Sequence, residues 1–174
     1  MEAQVNVLIE SAQNRLDESW RMLQLAMAEV DNALLWKRPA PSMMTLGNQL
    51  LHMRGNMQQY IVAGFGQTPD QRQRDQEFLL HQDRNKQQLM TALETTIAAA
   101  KETLSLSNAL QWTRNQTIQG FQLSGAEAVM HAVEHFAYHT GQVAFWVKLN
   151  TQKDLAFYAH HDLTQTNPKN EKSC

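Results

Sequence analysis

A single cysteine stands in the 174 residues, and it is the last of them, Cys174. One thiol at the chain end closes no internal disulfide, which excludes a disulfide scaffold and fits a reducing compartment. Long apolar runs are also missing. Nothing approaches the roughly 20 apolar residues that a helix needs to span a bilayer, and Met1 to Ile9 shows no basic stretch leading into an apolar one. A cytoplasmic location, with no membrane partner, is the expectation. Charge of one sign is lacking as well: 15 basic residues are scattered against 17 acidic ones, for a net charge of -2. Without a Lys/Arg stripe, nucleic acid is not an expected partner. Only 7 glycines and 4 prolines punctuate the chain, mostly where a helical pattern has already run out. What is present is ordinary globular material, 43% hydrophobic and 18% charged, enough to bury a core in one domain.

Apolar residues recur at three- and four-residue spacing from Ala3 to Ala33 (Val7, Leu8, Ala12, Leu16, Trp20, Leu23, Met27, Val30), which predicts a long first helix. Pro39 and Pro41 mark a connector. A second helix starts with Thr45 as N-cap and runs to the stop at Gly64 and Gly66, with a polar ridge of Asn48, His52 and Asn56. A third runs from Asp83 to Leu104. The irregular connection before it, 67–82, is long enough to cross over and set the third helix parallel to the second. Residues 105–123 hold Trp112 and a short hairpin around Thr117 to Gln119. A fourth helix opens on Ser124 and Glu127, the spacing of a capping box, and its core face includes Val129, Val133, Phe136, Ala137, Ala144 and Val147. Four apolar stripes bury each other in an all-α four-helix bundle with long crossover connections. The bundle is expected to occupy 1–150, and 151–174 forms a polar tail, partly disordered.

The segment HAVEHFAYHTGQ, 131–142, repeats histidine at intervals of four: His131, His135 and His139. Each step of four turns a side chain by about 40° and advances it about 6 Å, so neighbouring members face the same way. Two such imidazoles form a bidentate metal face; the plain alternative is solvated or hydrogen-bonded helix histidines. Spacing leaves open which adjacent pair would be the ligands. His52, on the ridge of the second helix, is the candidate for a third, and three histidines leave a coordination position free for water or substrate. Glu134 points about 100° away from His135, which makes it a poor general base. The mixed-sign group Arg72, Arg74, Asp75 and Glu77 reads as an ion-pair network that fastens the loop, and Met43, Met44, Met53 and Met57 read as core filler.

HFAYHTGQ on the last helix and LGNQLLHMRGN on the second resemble the DinB-like superfamily of four-helix-bundle metalloproteins, which includes bacillithiol S-transferase-like members. In a bacterial branch of unknown function, GN follows the helix-two histidine and R-x-R-D-x-E-F comes after it; here these stand as Gly55 with Asn56, and Arg72, Arg74, Asp75, Glu77 and Phe78. The likeness covers most of 1–150. It implies His52, His135 and His139 as metal ligands, with His131, Gln142 and Asn56 in supporting positions. Gly141 is expected at a close helix contact. The resemblance implies one divalent ion, nickel or zinc, and a homodimer. It also implies a metal-dependent transferase or hydrolase acting on a small molecule, with a low-molecular-weight thiol favoured as nucleophile. The other class is a stress-related, dimeric metal-binding bundle without turnover.

Overall fold

The computed structural model describes residues 2–79, 81 and 83–166; the end of the expected tail, 167–174 with Cys174, lies outside the described residues. Helix α1 (Glu2–Ala28) buries Ile9, Ala12, Leu16, Leu23 and Met27, the three- and four-residue stripe that makes it amphipathic. It stops at Ala28 rather than Ala33. The Asp31 carboxylate accepts from the Leu34 amide at 2.7 Å and starts a separate turn, α2 (Asn32–Leu35).

Thr45 caps α3 (Leu46–Met57) in a reciprocal box with Asn48. The helix then widens into a π-helical segment, Gln58–Phe65, ending at Gly66. The left-handed residue at this end is Gln67, φ 58°, so the stop is not made by glycine flexibility. A 3₁₀ turn, Arg74–Phe78, breaks the connection that follows. Helix α4 (Lys86–Ser105) begins after Asn85, whose side chain accepts from the Gln88 amide; this cap places the start three residues beyond Asp83. A short α5 (Ala109–Thr113) precedes the hairpin of β1 (Asn115–Ile118) and β2 (Phe121–Ser124), which pair from Asn115↔Ser124 to Ile118↔Phe121. Gln119 (φ 51°) and Gly120 (φ 83°) form the two-residue turn, the left-handed pair that a tight hairpin needs. Ser124 and Glu127 make the expected capping box on α6 (Gly125–Thr151).

Contacts between the ends give the directions. The Trp36 indole donates to Arg84 O at the start of α4, while Gly66, past α3, lies against Thr103 near the end of α4. So α3 and α4 run parallel, and 67–85 is the crossover that returns the chain. Asn56 meets His131 and His52 meets His135, which makes α6 antiparallel to α3. Leu16, Leu23, Leu50, Met53, Met57, Leu93 and Phe136 fill the centre of this all-α bundle. Four residues depart from the expected apolar stripes and core: Val7, Leu8, Met43 and Ala137 are exposed. After α6 the chain folds onto α1, with Leu155 buried and Arg21 donating to Phe157 O at 2.9 Å.

Candidate metal centre

Antiparallel packing puts the polar ridge of α3 against the histidine ladder of α6. His52, His135 and His139 each bring one ring nitrogen to within 4.8 Å of the others. Their ring centroids are 4.4 to 5.1 Å apart, and His52 Nε2 lies 3.0 Å from His135 Nε2. His52 and His139 are buried and His135 half-buried. Burial pushes His135 down to about 3, with the neighbouring imidazoles of His139 and His52 adding to it. Burial and His52 together push His139 down to about 4, against the Gln142 amide beside it. At neutral pH both rings are uncharged and offer lone pairs.

The crossover supplies the other half of the site. Glu77 is buried, and its Oε2 accepts from His52 Nδ1–H at 2.8 Å. Arg72 grips the same carboxylate through both oxygens, Nε to Oε1 at 2.7 Å and Nη2 to Oε2 at 2.8 Å, and reaches Gln59 Oε1 at 2.9 Å. Burial pushes the Glu77 carboxyl up, but the bonds from Arg72 and then His52 outweigh it and hold it below the usual range, as a carboxylate. Gly55 makes room: a Cβ there would come within 2.0 Å of Glu77 Oε1.

This arrangement fits a divalent ion on three counts. With its proton on Nδ1, His52 turns a bare Nε2 toward His135, and two imidazole nitrogens at 3.0 Å need a proton or a cation between them. Ligands 2.0 to 2.1 Å from one metal stand roughly 3 to 3.4 Å apart. His139, too, offers a ring nitrogen within 4.8 Å of the other two.

The supporting residues divide. Asn56 Nδ2 lies 3.2 Å from His131 Nε2, and the Tyr60 ring stacks on His131 at 4.1 Å while its hydroxyl donates to Gln119 Oε1 in the hairpin turn. His131 is therefore held one turn beyond the cluster. Gly141 makes no close helix contact: a Cβ there meets nothing within 4 Å. Arg74 lies over the Phe78 ring at 4.8 Å, and Phe78 flanks His52 at 5.4 Å. The mixed-sign group does fasten the crossover, yet Glu77 also holds a candidate ligand, a role that loop charge alone does not announce. Beyond its charge the sequence gives no signal for that role. A cleft of about 530 Å³, lined by Arg54, Gly55, Arg72, Glu77, His81 and Arg84, opens behind Glu77, and none of the three clustered histidines lines it.

The chain matches the profile of the family described as "Protein of unknown function (DUF1572)" over residues 4–159. No curated protein matches it. Among solved structures, it is similar to a conserved protein from Enterococcus faecalis, with a TM-score of 0.67 at 16% identity over 83% of this chain and 97% of that one. It is also similar to a DinB-like protein, YjoA, from Bacillus subtilis, with a TM-score of 0.62 at 17% identity over 89% of this chain and 97% of that one. At these identities the likeness is one of fold, and that fold is DinB-like.

Proposed function

The chain belongs to the DUF1572 family, and from that premise we propose that it is a metal-dependent enzyme acting on a small molecule, with His52, His135 and His139 as ligands of one nickel or zinc ion. The observation that carries the reading is the convergence of three imidazoles from two helices, two of them buried and one half-buried, with a carboxylate behind His52. A divalent ion held there with a position open lowers the pKa of a coordinated water or thiol, supplying hydroxide or thiolate at neutral pH.

The chain's own residues prepare that site. Glu77 keeps the proton of His52 on Nδ1 and its lone pair on Nε2; Arg72 keeps Glu77 ionised and in place. Phe78 flanks the His52 ring at 5.4 Å, a half-buried apolar wall on that side, and the exposed Tyr138 ring lies 5.1 Å from that of His139. The three-histidine set serves a thiol or a water alike; the DinB-like resemblance favours thiol transfer, with hydrolysis as its variant, in a cytoplasmic homodimer. One observation favours the second reading, a metal-binding protein without turnover: the 530 Å³ cleft lies behind Glu77 and not over the histidines.

Elemental analysis of purified protein tests the site: one ion per chain is expected, lost in His52→Ala. Metal-loaded protein is then given small thiols with electrophilic acceptors, and separately esters and amides. Turnover that needs thiol and vanishes in His135→Ala/His139→Ala supports the transferase, and thiol-independent turnover the hydrolase. Equal rates in both proteins across the panel leave the non-catalytic reading.

A further inference from the structure

Helix α6 carries an apolar stripe that nothing among the described residues covers. Tyr138, Phe145 and Leu149 are 64, 69 and 58% exposed, and Met130 is 61% exposed one turn from Glu134. Large side chains this open, on one face of a helix whose opposite face is core, mark a contact surface. Between them the surface dips at Gly141, where an added Cβ would stand in open space. Glu134 and Lys148 lie seven residues on either side of Gly141, about 10 Å each way along the axis and nearly on the same face. Both are exposed, and neither has an ion-pair partner among the described residues. The Lys148 ammonium lies 5.5 Å over the Phe157 ring instead.

We propose that this face of α6 pairs with the same face of a second copy, antiparallel, about a two-fold axis through Gly141. That rests on the homodimeric part of the reading above and says where the dimer forms. Antiparallel symmetry exchanges positions equidistant from the axis. Glu134 of each copy then faces Lys148 of the other, so both charges find partners, twice. Tyr138, three residues before the axis, comes beside Phe145 of the second copy, four residues after it. Gly141 meets Gly141 and lets the two backbones approach. A parallel pairing would instead set Glu134 against Glu134. Tyr138 packs edge-on against His139 at 5.1 Å, so the contact borders the histidine site.

Sedimentation equilibrium of the full chain tests this, with circular dichroism to confirm folding. The wild type should be a dimer. Glu134→Lys and Lys148→Glu should each weaken it at least about tenfold, and the double swap should restore it. Gly141→Glu sits in open space in one chain, so it should fold and yet set two like charges on the axis, giving monomers. A wild-type dimer unmoved by Gly141→Glu and by both single reversals overturns this surface and leaves a homodimer by another face. A wild-type monomer overturns both. Metal content is measured alongside and should be one ion per chain in every variant, since Glu134, Gly141 and Lys148 all face away from the three clustered histidines.

Discussion

Glu77 does two jobs with one carboxylate: it ends the reach of Arg72, and it decides which nitrogen of His52 carries the proton. Replacing it by glutamine keeps the shape but removes the charge that both partners use. Glu77→Gln should weaken metal binding by about 10- to 100-fold, the usual effect of losing a carboxylate behind a ligating histidine. Competition titration against a chelator of known affinity measures it, and unchanged affinity would reduce Glu77 to a loop fastener. Gly55→Ala should act in the same direction, because its Cβ would claim the place of Glu77 Oε1. Protons act on the neighbouring rings. His135 and His139 titrate at about 3 and about 4 when folded, against 6.5 when unfolded. Below pH 6.5 the unfolded chain therefore takes up protons that the folded chain refuses, so their contribution is full above that pH and is lost as pH falls toward 4. The urea midpoint of chelator-treated protein should drop between pH 7 and pH 5, and His135→Leu/His139→Leu should flatten that slope. The four-residue ladder and the ridge at His52 follow from helix geometry, while the choice of His135 and His139 over His131 comes from the family resemblance and not from spacing. Glu77 was legible only as charge, because its burial comes from the crossover folding onto Gly55.

Helix ends were readable where a side chain closes them. Ser124 with Glu127 marks the start of α6, and the structure has both halves of that box, with Ser124 Oγ accepting from the Glu127 amide at 3.2 Å and Glu127 Oε2 accepting from the Ser124 amide at 2.7 Å. Ser124→Ala removes the hydroxyl half and should cost about 0.5 to 2 kcal/mol, read as a lower midpoint in denaturant with an unchanged slope. An unchanged midpoint would mean that the hairpin strand β2, which runs straight into the cap, holds this end by itself. Two further caps carry no such apolar context: Asn85 lies inside a polar stretch, and Asp31 opens a helix of only four residues that reads as a continuation of the α1 stripe. The π-helical turn after Met57 has no local signature either. The segment buries Tyr60, Ile61, Ala63 and Phe65, and their spacing does not distinguish the wider turn from an α-helical one.

Across the whole molecule, the periodic stripes were enough for a bundle of four helices, and the length of 67–85 was enough for a parallel α3 and α4. What they could not convey is that the crossover becomes a wall of the site, because its residues lack a period and gain their burial from distant partners: Asn48 Nδ2, for example, donates to Glu77 O at 2.9 Å and to Leu79 O at 2.6 Å. The arrangement ties three parts of the chain to one point, His52 on α3, the pair on α6, and Glu77 on the crossover. An ion bound there holds those parts together only in the folded state, and so stabilises it by mass action. At free metal 100 times the dissociation constant the gain is about 2.7 kcal/mol. For a domain of this size, each kcal/mol raises the melting temperature by about 2 to 4 °C, which gives a rise of roughly 5 to 10 °C over chelator-treated protein. His52→Ala should abolish the rise, and Glu77→Gln should shrink it at the same total metal. Hydrogen exchange locates the effect: amides of 72–79 should gain protection with metal in the wild type, because the ion fixes His52 and His52 fixes Glu77. A metal-induced rise in melting temperature that survives in His52→Ala, with no change in exchange over 72–79, would place the binding site elsewhere in the chain.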